Sequence, residues 1–240
     1  MSRIPAGRIR ALVFDVFGTV VDWRGSLVRE GEAISAAKGV QVDWPAFADA
    51  WRAGYQPAME PIRTGAAPWR SIDALHREIL ETLLPRFGLS ALSEDERRQL
   101  NLAWHRLDPW ADSVAGLQRL KQRFTIATLS NGNVSLLVDM ARRAGLPWDT
   151  VLSAELIERY KPDRAVYRMA ARLLGVAPGE VAMVAAHPSD LDAARQAGLP
   201  TAYVARPLEH GATVRHEAVA ENTFDWQARD FADLATQLGC

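Results

Sequence analysis

Apolar residues fall along this chain in two rhythms. Four short runs are largely continuous: ALVFDV (11–16), FTIATLS (124–130), EVAMVAA (180–186) and TAYVA (201–205). Runs of that length, apolar on neighbouring rather than alternate residues, predict parallel strands buried on both faces. Between them the apolar positions recur at helical spacing. NVSLLVDMARRA (133–144) opens on an Asn and stops at Gly145, and DRAVYRMAARLL (163–174) opens on an Asp and stops at Gly175. SDLDAARQA (189–197) stops at Gly198, with Pro200 beyond it. Start and stop residues in those places predict helices. Strand and helix in alternation predict an α/β fold, a doubly wound parallel sheet.

Residues 21–108 break the rhythm. Helical patterns run over about 27–38, 44–56, 69–87 and 93–106, with no strand pattern among them. Five of the eight tryptophans (Trp23, Trp44, Trp51, Trp69 and Trp104) lie there, and Trp110 follows just behind. The pattern predicts a helical cap of residues 21–108 inserted into a core of residues 1–20 and 109–240. A sheet with an inserted cap predicts a cleft over the carboxyl ends of the strands.

Composition narrows the function. Lys and Arg number 28 against 29 Asp and Glu, a net charge of -1. That balance supplies no field to attract nucleic acid or an anionic membrane. No apolar stretch approaches the ~20 residues of a membrane-spanning helix, and the basic start, MSRIPAGRIR, is not followed by a signal-type apolar segment. The single cysteine, Cys240, allows no disulfide within the chain. These features predict a soluble cytoplasmic protein acting on a small molecule.

Candidate chemistry sits where the predicted strands end. Asp15 and Thr19 follow the first, Ser130 and Asn131 the second, and His187 and Asp190 the run at 180–186; Lys161 stands in YKPD before a helix. Singly, each has an ordinary structural role: a turn former, a helix cap, a solvated lysine. In a doubly wound sheet, however, these positions converge on one crevice.

The ordered set FDVFGT, LSNG, YKPD and an acid opening the helix before AARQAGLPTAYV resembles the haloacid dehalogenase superfamily. The resemblance implies a Rossmann-like core with an inserted helical cap and Asp15 as a covalent nucleophile. Most members of that superfamily are magnesium phosphatases, which carry a proton-donating Asp two residues after the nucleophile and a metal-binding Asp four residues before the helix-opening acid. Here those places hold Phe17 and Ala186. Phe17 donates no proton to a leaving group, and Ala186 offers no oxygen to Mg²⁺. A magnesium-dependent small-molecule phosphatase is the alternative these two residues disfavour.

Both departures are similar to the L-2-haloacid dehalogenase branch, as are Arg52 in AWRAGY and Tyr167 six residues after Lys161. The resemblance to that branch implies a metal- and cofactor-free hydrolysis of short 2-haloacids to 2-hydroxyacids through an ester on Asp15, releasing halide. It implies Arg52 and Asn131 at the halide, and Ser130 with the backbone N–H groups of Val16 and Phe17 at the substrate carboxylate. Lys161 would keep Asp15 ionised, Asp190 with His187 would activate water, and Thr19 and Tyr167 would position Asp15 and Lys161. His187 stands where better-known members carry Asn, and Ala185 where they carry Ser. Related enzymes are often homodimers.

Overall fold

The computed structural model describes residues 5–212, 214 and 219–240; the first four residues of the expected core segment lie outside them. The chain opens with β1 (Ala11–Phe14), β2 (Val21–Asp22) and helices α1 (Trp23–Lys38), α2 (Trp44–Arg63), α3 (Ile72–Leu83) and α4 (Glu94–Asn101). After a 3-10 turn (Leu102–Arg106) come β3 (Asp108–Pro109), α5 (Ser113–Lys121), β4 (Thr125–Thr128), α6 (Val134–Ala144) and α7 (Arg164–Leu174). The chain closes with β5 (Val181–Ala185), α8 (Pro188–Ala197), β6 (Thr201–Val204), β7 (Trp226–Ala228) and α9 (Phe231–Gln237).

Five strands form one parallel sheet in the order β4-β1-β5-β6-β7. Strand β1, between β4 and β5, is buried along its whole length, and its last residue, Phe14, lies level with Thr128 of β4 and Val184 of β5. Three strands therefore end together, and the loops that leave them share one edge. Helices flank the sheet, α5 packing on α9 and α7 on α8. The α/β architecture follows the sequence pattern. None of the helices among the described residues is long and apolar enough to cross a membrane.

Several elements differ from their predicted bounds, each for a local reason. Helix α1 begins four residues early because the Asp22 carboxylate accepts from the Gly25 N–H at 2.8 Å and caps it there. Helix α2 runs through Pro57 and Pro61 to Arg63. Each proline removes a helix hydrogen bond, but Phe47, Trp51, Tyr55 and Met59, four residues apart, carry one buried stripe past the first of them. Helix α4 starts on a capping box of Ser93 and Glu96 and tightens into the 3-10 turn at Leu102. The apolar pattern gives no sign of β2, β3, α5, β7 or α9.

The stretch of four helices leaves and re-enters the sheet region through β2 and β3, which pair antiparallel with Val21 opposite Pro109. Close by, Arg206 gathers separate parts of the chain. Its guanidinium forms a two-pronged pair with Asp112 at 2.7 and 2.9 Å and donates through Nε to the Thr19 carbonyl at 2.8 Å. The same carboxylate accepts from the Phe231 N–H. Only 7% of the Arg206 side chain is exposed, so its charge depends on that partner. Asp112→Ala strands a buried guanidinium and is expected to cost about 3–5 kcal/mol of stability in denaturant unfolding. A loss under about 1 kcal/mol would mean that the arginine reaches water instead.

Candidate active site

The loop DVFGT begins where β1 stops. Asp15 keeps the sheet register for one more bond, its N–H donating to the Val184 carbonyl at 3.0 Å. The chain then turns back, with the Val20 and Val21 N–H groups both donating to the Val16 carbonyl and Gly18 at φ +83. This turn brings Thr19 behind Asp15. The Thr19 hydroxyl accepts from the Ala186 N–H at 2.9 Å and donates to Asp15 Oδ2 at 2.9 Å, tying the loops after β1 and β5 together.

Two cations close on the carboxylate from different loops. Lys161 Nζ lies 2.9 Å from Asp15 Oδ1 and 2.5 Å from Asp190 Oδ2, bridging the two acids. Its backbone is steadied by Asn131, whose Oδ1 accepts from the Lys161 N–H at 2.8 Å. The other oxygen of Asp190 accepts from the Tyr167 hydroxyl at 2.5 Å. His187 Nδ1 lies 3.0 Å from Asp15 Oδ2, and its Nε2 lies 3.0 Å from both oxygens of Glu209.

Burial by itself pushes the Asp15 carboxyl up; the Lys161 ammonium and the His187 imidazole outweigh it and hold the acid well below the usual carboxylate range. For His187, burial opposes the charged form, but the Asp15 and Glu209 carboxylates push it up to about 10. Burial likewise opposes the charge on Lys161, and Asp15 and Asp190 reverse it, raising the ammonium above its ordinary value. At neutral pH Asp15 is thus a carboxylate between two cations.

Opposite this cluster stands α2. Arg52 reaches over the sheet edge into a cavity of about 420 Å³ whose floor is Asp15, Lys161 and Asn131. Its guanidinium lies 4.5 Å from the Tyr55 ring and 5.6 Å from the Trp23 ring. Aromatic faces hold a cation without using up its donors, and the buried Arg52 Nη1 has no hydrogen-bond partner among the described residues. The neighbouring His76 is stacked on Trp104 at 4.1 Å; burial, with Arg52 and His105, holds its imidazole well below the usual range and therefore neutral. A cavity with a shielded carboxylate on one wall and an unpaired guanidinium donor on the other suits displacement of an anionic leaving group.

Asp15, Phe17, Arg52, Asn131, Lys161, Tyr167, His187 and Asp190 all line this one cavity. Thr19 stands one layer behind. Val16 and Ser130 are buried and do not line it; Ser130 has no exposed surface, and its hydroxyl oxygen accepts from the Gly132 N–H at 3.1 Å. A β-bridge to Ser153 holds the Ser130 backbone beneath the floor, next to Asn131, which lines the cavity. Tyr167 holds Asp190, which in turn holds Lys161, and His187 is engaged by Asp15 and Glu209. Sequence reasoning missed Glu209, Tyr55, Gln56, Arg63 and Ser189, the last four of which line the cavity. Nothing in the local pattern around RPLEHG distinguishes Glu209 from a solvated loop acid.

The raised folded value of His187 fixes the sign of a pH effect. Its pairing stabilises the fold fully below the unfolded value near 6.5, and this contribution is lost as pH rises through about 10. The stability difference between the wild-type protein and His187→Gln, measured by denaturant unfolding, should therefore shrink steadily from pH 7 to pH 10. A constant difference over that range would count against the charged pairing.

The model for haloacid dehalogenase-like hydrolases matches residues 9–198. The chain is 33% identical over 218 residues to (S)-2-haloacid dehalogenase 1 from Pseudomonas sp. (strain CBS-3), covering 87% of this chain and 92% of that protein. Among solved structures it superposes on the L-2-haloacid dehalogenase PA0810 with a TM-score of 0.92 at 48% identity, covering 96% of this chain and 98% of that one. It superposes on the defluorinating L-2-haloacid dehalogenase Rha0230 with a TM-score of 0.94 at 42% identity over the full length of both chains. By sequence and by fold, the chain belongs to the haloacid dehalogenase-like hydrolases, in their L-2-haloacid dehalogenase branch.

Proposed function

We propose that this protein hydrolyses short 2-haloalkanoic acids to 2-hydroxyacids, with Asp15 as the covalent nucleophile. The observation that carries the reading is the pairing, across one cavity, of an Asp15 carboxylate kept ionised by Lys161 and His187 with the unpartnered donor of Arg52. Asp15 attacks C2 of the substrate from the side opposite the halogen. The oxygen–carbon bond forms as the carbon–halogen bond breaks, and the halide departs with the bonding pair. Water then adds to the ester carbonyl rather than to C2, so a single inversion survives in the product. Covalent catalysis divides one hard displacement into two easier steps.

The charges on the wall assign the remaining roles. Arg52 stabilises the halide, where negative charge grows in the transition state. Asn131 adds a donor from the floor. The backbone N–H of Phe17, which lines the cavity, receives the substrate carboxylate. The four helices between β2 and β3 act as the cap that keeps the site dry, in which a carboxylate is a better nucleophile than in water. The cavity lies toward the small end of ligand sites, in keeping with a short acid. A phosphatase is disfavoured by the two departures already noted: Phe17 cannot protonate an alkoxide, and Ala186 offers no carboxylate to a magnesium ion. Halide needs no proton to leave. The single cysteine, which allows no disulfide within the chain, supports action in a reducing compartment such as the cytoplasm.

Asp15→Asn should abolish halide release. In a single turnover in heavy-oxygen water, label should enter the Asp15 carboxylate before it reaches the product; label passing straight to product, with Asp15 unlabelled, would end the ester mechanism. Arg52→Ala removes the donor to the leaving group. It is expected to lower kcat for chloroacetate by on the order of 10²–10³, followed by halide release, with an unchanged rate arguing that the halide leaves elsewhere.

A further inference from the structure

Glu209 is a buried carboxylate for which the two half-reactions above have no use. It lies in the segment that follows β6 and is 4% exposed. A glutamate so deeply buried is expensive to keep charged without partners, and it has several. His187 Nε2 lies 3.0 Å from both of its oxygens, and the Trp23 indole N–H donates to Oε1 at 3.1 Å. His210 stands at 3.9 Å, and Arg52 on α2 adds positive potential. The carboxylate also lies against the nucleophile loop: a Cβ on Gly18 would fall 2.1 Å from Oε1. The loop and the acid are therefore fitted to each other, and the acid grips the far side of the ring that touches Asp15.

The base for ester hydrolysis must stand beside Asp15 and must be able to shed its own proton during the cycle. Asp190 is poorly placed for this, because Lys161 and Tyr167 engage one of its oxygens each at 2.5 Å. His187 lines the cavity with Nδ1 3.0 Å from Asp15 Oδ2. We propose that Glu209 is a positioning residue that holds His187 as the proton acceptor for the water that hydrolyses the Asp15 ester. The proposal rests on the dehalogenase reading.

The protons balance. At rest His187 is an imidazolium between two carboxylates, Asp15 from the loop after β1 and Glu209 from the segment after β6. Alkylation neutralises the first of them, and the imidazolium gives its Nδ1 proton to solvent as the halide leaves. Together these are the acid that the net reaction produces. Nδ1 then takes a proton from water as the water oxygen bonds to Cγ of Asp15. The tetrahedral intermediate collapses, its bond to the substrate oxygen breaks, and the departing alkoxide takes that proton from His187. The acid form of Asp15 passes its own proton to Nδ1, restoring the resting pair. One water is consumed, and one halide and one proton are released.

The test separates the two half-reactions with L-2-chloropropionate, reading the halide burst and, by mass spectrometry, the ester on the Asp15 peptide. Glu209→Gln retains the shape and the acceptor for Trp23. It should slow ester hydrolysis roughly 10–100-fold, change the burst by less than about threefold, and let the ester accumulate. The pH midpoint of hydrolysis should move lower, because the imidazolium has lost its remaining carboxylate. Combined with His187→Gln, it should add no further loss. Equal slowing of both steps, no slowing, an unmoved midpoint or additive losses would each overturn the proposal. Should Glu209→Gln not fold, Glu209→Asp carries the same test: selective slowing of hydrolysis supports the proposal, and equal or absent slowing overturns it. The wild-type protein keeps the two readings apart. No halide burst with any haloacid defeats the dehalogenase reading itself, whereas a normal burst with unselective variants defeats only the role of Glu209.

Discussion

A charged carboxylate at the end of a fully buried strand is the constraint around which the rest of this molecule is arranged. Asp15 is 7% exposed, and desolvation alone would favour its neutral form. Lys161 and His187 reverse that preference, and each arrives from a different loop. Neither cation is comfortable by itself in that environment. Lys161 needs Asp190 as well as Asp15, and His187 needs Glu209. The result is a chain of alternating charges, Asp190, Lys161, Asp15, His187 and Glu209, in which removing one member leaves its neighbours buried and unmatched.

The parallel sheet makes such a chain possible. Strands β4, β1 and β5 end level with one another, so the loops carrying Asn131, Asp15 and His187 leave the same edge. The helix caps then set each side chain within that edge. Asp163 caps α7 through the Ala165 N–H and directs Tyr167 inward, while Pro188 opens α8 and places Asp190 in its first turn. The Arg206–Asp112 pair secures the loop after β1 from below by holding the Thr19 carbonyl. Arg52 comes from the helices on the far side of the cavity, so the Asp15 carboxylate and the Arg52 guanidinium face each other without sharing a wall.

Much of this was legible in the chain because buried parallel strands announce themselves as short apolar runs, and the acids that follow them stand out by contrast. Asp15 and Asp190 could be named on that basis, Lys161 only from its place in YKPD, and Phe17 told as much by lacking a proton as they did by carrying charge. Other features were hidden for physical reasons. Strand β7 is three residues long with Gln227 at its centre, too short and too polar to read as a run. Helix α2 runs past its expected end at about residue 56, through two prolines, because the buried stripe continues to Met59. The sequence could place Ser130 at the end of a strand but not show that its hydroxyl accepts from the Gly132 N–H, a contact set by the turn that follows. Glu209 carries no local pattern at all, since its burial comes from contacts with Trp23, His187 and Gly18 that lie far away in sequence.

The fit between Gly18 and Glu209 also limits how this protein can change. Position 18 sits in the left-handed region, and any side chain there would intrude on the glutamate oxygen. A larger residue at 18 is therefore tolerable only if position 209 has already given up its carboxylate, and giving it up leaves His187 with a single counter-charge. Mutational routes away from this arrangement must pass through a protein with a disturbed imidazole, which makes the two sites, distant in the chain, a single unit of change.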